Sequence, residues 1–596
     1  MQTRHDTHAD FAAPHRLPLR ALLAVIALWL AARLVLYGGI AASDPLEYLA
    51  WAQRIATGEF ELATHHYSTR FAVTVPIAAC FRLFGVSVAS ATLWPLACSL
   101  VTLLLLFRLG KRYGDDATGL LAATAFALLP LDIIESTNVL PDPILTTFAT
   151  LSVCCFLRGF DDDLRPGRGR LWLVAAGVCL WLAYSAKIVG ALLALVFFLH
   201  ALTDRRRLLR LGWVALGTLL LLLPELFWYH RATGNWLLPV AAIGEVHEKS
   251  VGVQAANANL GYRLFKEYAN EVLRPNEHFG WLGVPLVAAA LLLLPQVRRL
   301  RMLYLWMGAL FAYLNFGSSS FSRFVAIPAN TRYLQPVVIP TLVLLALAAR
   351  QMWLAAERWP GGAARAELGG GRADGPRERR RGWGRLIRGG MVLTGLLLAV
   401  SSLATAWLHA GRSFVHLTAR EGLALVPLLR QQLPSRVYTD ARTAGVIDFA
   451  FGYAPPFELR PFPTEGVAPG EPYVERFASG DLLLLNWREV YKGGPLRQFP
   501  RAVAVALREL RANPGVAILE RSTSHPGCIW YAAAKLPGLR EGLRWDERIE
   551  YFDEPEQPRG IWAGVVAALE GGGLTSEGGA ANEAPRQTPD ESHRSH

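Results

Sequence analysis

The run Leu93–Phe107, LWPLACSLVTLLLLF, carries no charge and is followed at once by Arg108, Lys111 and Arg112. An apolar block ending in a basic cluster reads as a membrane helix with its cytoplasmic flank, since a bilayer core takes about 20 mostly apolar residues per helix. Similar blocks recur at Ala191–Leu199, Leu216–Leu223 and Leu342–Ala348. They are continuous runs rather than the amphipathic stripes of a soluble helix. Of the 596 residues 52% are hydrophobic and the mean hydropathy is +0.27, which is too apolar for an ordinary soluble enzyme of this length.

Read outward from that block, the chain predicts about eleven spans: Leu19–Ala41, Ala91–Leu109, Ala117–Ile134, Pro143–Leu157, Leu171–Ala186, Ile188–Leu202, Leu211–Trp228, Phe279–Pro295, Met302–Phe316, Leu334–Ala349 and Gly390–Leu408. Residues 1–18 are a basic leader, and the first span reads as a retained signal anchor. Alternate loops carry the arginines: Arg108 to Arg112, Arg158 to Arg170, Arg205 to Arg210, Arg298 to Arg301 and Arg350 to Arg388. By the positive-inside rule these face the cytoplasm together with the N-terminus. The extracytoplasmic side then receives Ser43–Ser90, Glu135–Asp142, Tyr229–His278, Gly317–Tyr333 and everything after about His409.

The net charge of +12 raises the question of nucleic acid, but the basic residues sit in short loops between apolar runs, so no nucleic-acid partner is expected. Of six cysteines, five lie in or beside apolar segments and Cys528 lies in the polar C-terminal part, giving neither a disulfide framework nor a metal spacing. No GxxxxGK[ST] run is present to cradle a nucleotide phosphate. The cytoplasmic stretch 355–388 is expected to be a disordered linker, and 571–596 a disordered tail. Between them, 409–570 reads as a small α/β domain, with strands at Arg436–Thr439, Asp481–Asn486 and Val516–Glu520 and a helix at Arg501–Ala512.

The polar residues of one membrane side are the candidates for chemistry. Asp44 and Glu47 follow the first span at helical spacing, Pro45–Ala56 reading as a helix along the membrane surface. Either an N-cap with a capping box or a pair of working carboxylates produces this pattern. Asp142, in Leu140-Pro-Asp-Pro143, is open to the same two readings, an acidic helix start or an acid/base group. Lys187 interrupts an apolar run, where a lysine either snorkels to the interface or has a function. Arg332 and Tyr333 open the tenth span, as an interface anchor or as a fork for a lipid phosphate. His66 and Arg70 are substrate contacts or loop polarity, since adjacent His65 and His66 make a poor metal pair. Arg33, inside the first span, either pairs with a carboxylate of another span or snorkels.

Five local runs add up to a pattern: Asp44-Pro-Leu-Glu-Tyr-Leu-Ala-Trp-Ala52; His66-Tyr-Ser-Thr-Arg70 with Phe81-Arg-Leu-Phe-Gly85; Leu140-Pro-Asp-Pro-Ile144; Leu223-Pro-Glu-Leu-Phe-Trp-Tyr-His230 with Thr233-Gly-Asn235; and Thr331-Arg-Tyr-Leu-Gln-Pro336. Over about Leu19–Leu408 the chain resembles the GT-C glycosyltransferases, in particular the bacterial family 39/83 group related to protein O-mannosyltransferases and aminoarabinose transferases. The resemblance implies a GT-C-like membrane domain in a bacterial inner membrane. It implies transfer of a sugar from a polyprenyl-phosphate donor to a lipid, glycan or protein acceptor on the extracytoplasmic face. Asp44 is then the first catalytic candidate, as a base or as the group that positions the acceptor, with Asp142 second, while Lys187 and Arg332 suit the donor phosphate. The resemblance leaves room for a divalent metal, and no cofactor is implied beyond that. The chain departs from the family's adjacent Asp-Glu pair, because Pro45 follows Asp44 and the glutamate comes at Glu47. The rival class is a transporter or flippase of a lipid-linked or polar substrate, against which stand the lack of an internal repeat and the clustering of polar residues at one face.

Overall fold

In the computed structural model the described residues are 19–161, 166–249, 272–276, 278–320, 324–327, 330–358, 375–461, 478, 480–486, 516–525 and 528–535. All eleven expected spans contain a helix. In chain order the helices are α1 (Leu19–Val35), α2 (Asp44–Thr57), α3 (Phe71–Phe84), α4 (Val88–Tyr113), α5 (Asp116–Ala127), α6 (Pro130–Ser136), α7 (Pro141–Gly159), α8 (Pro166–Ala186), α9 (Leu192–Ala201), α10 (Arg205–Thr233), α11 (Leu238–Lys249), α12 (Gly283–Leu292), α13 (Arg301–Phe316), α14 (Gln335–Arg358), α15 (Gly375–Arg412), α16 (Phe414–Ala424), α17 (Val426–Gln432) and α18 (Ala441–Ala450).

Among the described residues, five of these helices are long and apolar enough to cross a membrane alone, and α5 with α6, bent by 60° at their junction, makes a sixth. The other five expected spans are α1, α7, α9, α12 and α13, between 10 and 19 residues long. The expected count of eleven therefore stands at six by length and apolarity, because the chain builds much of its membrane domain from short and broken helices. The stretch 43–90, expected as one surface helix in a loop, holds two helices, of which α3 is itself apolar. The expected linker 355–388 is helical at both ends, α14 running to Arg358 and α15 starting at Gly375. The expected helix Arg501–Ala512 and the tail 571–596 lie outside the described residues.

Close helix approach depends on glycine. A Cβ on Gly177 of α8 would stand 2.0 Å from the Val214 carbonyl of α10, and one on Gly217 of α10 would stand 2.1 Å from the Val174 carbonyl. Small residues at such crossings let backbones meet in a membrane, where apolar burial gives no preference for protein over lipid.

The α5–α6 break frees backbone carbonyls that the apolar core cannot hydrate. Arg33 of α1 answers this: its Nη1 donates to the Ala127 carbonyl at 2.9 Å, and its Nη2 pairs with Asp132 of α6. Gln335 Nε2 donates to the other Asp132 oxygen at 2.8 Å, Ser99 Oγ donates to the first, and Trp29 Nε1 donates to Ser99 Oγ at 3.0 Å. Of the two readings open for Arg33, the pairing holds.

The chain divides into two units, one of residues 1–433 with 441–459, the other of 434–440 with 460–596. The first therefore takes in α16 to α18, which the sequence places in the C-terminal domain. The described strands are β1 (Arg436–Thr439), β2 (Glu458–Pro461), β3 (Leu482–Asn486), β4 (Val516–His525) and β5 (Cys528–Lys535), in the order β2-β1-β3-β5-β4; all but the first half of β2 fall in the second unit. β1 pairs parallel with β3, while β5 pairs antiparallel with both β3 and β4. Three of these strands, β1, β3 and β4, start within a residue of their expected positions.

Candidate active site

The loop between α1 and α2 is held on both sides. Gly38 N donates to Thr137 Oγ1 at 3.3 Å and Ala41 N to Asn138 Oδ1 at 3.2 Å, both at the end of α6. On the other side Ala42 N donates to the Val415 carbonyl of α16 at 2.9 Å. This loop delivers Asp44 as the first residue of α2, followed by Pro45, whose missing N–H and fixed φ suit a helix start.

Asp44 is no cap. The N-cap position is Ser43, and it makes no side-chain capping bond. Both Asp44 oxygens are committed elsewhere: Oδ1 accepts from Tyr67 Oη at 2.9 Å, and Oδ2 from Arg332 Nη2 at 2.8 Å. Burial opposes ionisation of Asp44, but Arg332, Tyr67 and Arg70 outweigh it and hold the carboxyl below the usual range. Asp142, in the first turn of α7, accepts from Lys187 Nζ on Oδ1 at 2.7 Å. Its Oδ2 lies 3.9 Å from Arg332 Nε and has no hydrogen-bond partner among the described residues.

Arg332 and Tyr333 sit in a single 3₁₀ turn, Thr331–Leu334, capped by Asn330, whose side chain accepts from the Arg332 N–H at 3.2 Å. Lys187 follows α8 in extended backbone, so its stem leaves the helix, and Nζ comes 3.4 Å from the Tyr333 ring centre. Burial pulls the Lys187 ammonium down to about 8, against the pull of Asp142 in the other direction. Snorkelling is thus not its role, since it turns inward to a carboxylate.

Arg70 closes the 3₁₀ turn His66–Thr69, bonding Tyr48 Oη with its guanidinium 5.5 Å from the Tyr48 ring centre. His66 is buried; that burial, with Arg70 and His65 nearby, drives its imidazolium down to about 2, so it is neutral at physiological pH. A small pocket opens between His66, Thr69, Arg70, Tyr184, Ser185 and Lys187.

Seven of the eight expected residues therefore gather: Asp44, Asp142, Lys187, Arg332, Tyr333, Arg70 and His66. Glu47 does not, being exposed and outside all these contacts. It points off the buried side of α2, which carries Leu46, Tyr48, Leu49 and Ala52. Tyr48 and Tyr67 were not singled out in the sequence. Tyr48 was findable, because four residues on from Asp44 is one helical turn; Tyr67 had only its place within His66-Tyr-Ser-Thr-Arg70. Among the described residues no three His, Cys, Asp or Glu side chains come together as a metal site, and the two aspartates already face cations.

Residues 70–253 match the family model for dolichyl-phosphate-mannose-protein mannosyltransferase, a stretch that holds Arg70, Asp142 and Lys187. No curated protein matches the chain. Among solved structures, ArnT from Cupriavidus metallidurans in its apo state shares 15% identity and a TM-score of 0.55, over 86% of this chain and 98% of that one. ArnT of the same organism bound to undecaprenyl phosphate gives 14% identity and a TM-score of 0.55, over 87% and 99%. The chain thus matches the mannosyltransferase family model over residues 70–253 and shares the fold of ArnT over most of its length.

Proposed function

We propose that the protein transfers a sugar from a polyprenyl-phosphate donor to an acceptor at the extracytoplasmic face of a bacterial inner membrane. The observation that carries this reading is Arg332 standing between Asp44 and Asp142, with Lys187 on the far side of Asp142. Three cations, Arg70, Lys187 and Arg332, stand there with Asp44, Asp142 and the buried Glu135, and the guanidinium forks suit a phosphate. The mannosyltransferase match and the ArnT fold support a lipid-phosphate donor.

The two aspartates divide the work by exposure. The Asp44 side chain is 36% exposed and that of Asp142 1%. Asp44 can meet an acceptor hydroxyl and take its proton as that oxygen bonds to the anomeric carbon. Asp142 holds Lys187 and Arg332 where the bond from sugar to phosphate breaks, and these cations stabilise the charge on the departing polyprenyl phosphate. Tyr67 and Arg332 orient the Asp44 carboxylate.

The test incubates purified protein in lipid with a panel of polyprenyl-phosphate sugars and follows free polyprenyl phosphate and sugar-bearing products by mass spectrometry. Release with at least one donor, lost in Asp44→Asn, is expected. No turnover with any donor, together with measured flux of a lipid-linked substrate, would favour the transporter instead.

A further inference from the structure

The run Leu223-Pro-Glu-Leu-Phe-Trp-Tyr-His230 lies in α10 and supplies none of the groups described above, yet it holds a carboxylate inside a membrane helix. Glu225 is 6% exposed and Tyr229, one turn on, is fully buried. Glu225 Oε2 accepts from Trp181 Nε1 of α8 at 2.6 Å, and Oε1 is in hydrogen-bond contact with Tyr229 Oη. The same Tyr229 Oη lies 3.4 Å from the Thr69 carbonyl, in the turn that carries Tyr67 and ends at Arg70. Stacking ties the same helix to the following residue: Phe71 lies 5.2 Å from the Trp228 ring and 6.4 Å from the Tyr229 ring.

A phenol has one proton to give. If Glu225 were ionised, its two oxygens would take the Trp181 N–H and the Tyr229 O–H, and nothing would reach Thr69. If Glu225 is a neutral acid, its own O–H donates to Tyr229, Tyr229 donates to the Thr69 carbonyl, and Trp181 still serves the second oxygen. Every contact is then satisfied. The environment favours the same state, because both neighbouring donors are neutral and an unpaired carboxylate in a span is costly.

We propose that Glu225 is a neutral carboxylic acid that positions the 66–70 turn through Tyr229. It is a positioning residue: it reaches the substrate site only through Tyr229 and Thr69, and so through Tyr67 on Asp44 and Arg70 at the pocket. The inference rests on the donor reading above only where binding is the readout.

The test has two readouts on the full-length protein in detergent. The infrared difference spectrum of wild type minus Glu225→Gln should show the carbonyl band of a protonated carboxylic acid; its absence overturns the proposal. Native mass spectrometry with undecaprenyl phosphate as probe gives the second. Tyr229→Phe and Glu225→Ala should each raise its Kd about three- to tenfold, the worth of one buried hydrogen bond, while Glu225→Gln, which can still donate to Tyr229, stays within about twofold of wild type. Glu225→Gln binding as weakly as Glu225→Ala overturns the proposal, since charge and not donation would then matter. Tyr229→Phe removes a single hydroxyl and so keeps the test sound if Glu225→Ala fails to fold. Wild type failing to bind the probe counts against the donor reading alone, and the infrared band then decides this one.

Discussion

Arg332 spans two aspartates that are 98 residues apart in sequence, with Nη2 2.8 Å from Asp44 Oδ2 and Nε 3.9 Å from Asp142 Oδ2. One guanidinium fork therefore sets the spacing between the exposed carboxylate and the buried one. Asp44→Asn keeps the shape and removes the base. Transfer should fall about 10²–10⁴-fold, the usual worth of positioned proton transfer, with thermal unfolding in detergent unchanged. Activity near wild type would sink the assignment of Asp44. Arg332→Lys, which keeps the charge but not the fork, should lose most of the activity as well.

The site predicts a pH profile. Lys187 loses its proton near 8, against about 10.4 for an ordinary lysine. Below that pH it is cationic and pairs with Asp142; if it also holds the proposed donor phosphate, donor KM should rise above that pH, where the charge is gone. Lys187→Arg should move this alkaline limb upward. Asp44 is held below the ordinary carboxylate range, so the base stays ionised into mild acid. His66, already neutral, should leave the profile unmoved as His66→Gln between about pH 5 and 8. A donor KM flat across the alkaline range would remove Lys187 from the phosphate site.

The Arg33–Asp132 pair is a stability element. Asp132→Ala strands a buried guanidinium and should cost about 3–5 kcal/mol, while Arg33→Met with Asp132→Leu, removing both charges, should cost less than either single change. Denaturant unfolding in micelles measures the comparison. A double variant no better than the sum of the singles would show that the bond to the Ala127 carbonyl, and not the ion pair, is what matters.

The α8–α10 crossing should be intolerant of volume. Gly177→Val forces the helices apart and should destabilise by about 1–3 kcal/mol. Gly212→Ala, on the same α10 where nothing lies within 4 Å, should be silent. Equal melting of the two variants would remove the crossing as a packing constraint.

Spans were legible in the sequence where charge followed the apolar run, as at Arg108 after Phe107, although α4 itself runs on to Tyr113. Their lengths were not, because a bend such as that before Pro130 leaves the apolar run unbroken. Asp132 was hidden for the same reason, lying inside an apolar run, although Arg33 already signalled that a span needed a partner. The site was legible as a set of polar residues on one side, but not as a set of pairs. Spacing alone offered Glu47 as the companion of Asp44, and the actual companions, Tyr67 and Arg332, come from distant segments that only tertiary packing brings in. In the second unit β5 went unread, since Ala532–Ala534 favours a helix until a neighbouring strand claims it.

The bond from Ala42 to Val415 joins the beginning of the membrane domain to the segment after its last helix. On a ribosome the loop that bears Asp44 is made early, but its clasp arrives more than 370 residues later. Since chains fold largely in order of synthesis, the nascent protein carries this loop clasped on its α6 side alone through most of its insertion. The second clasp thus closes only after the last membrane helix, α15, has been made.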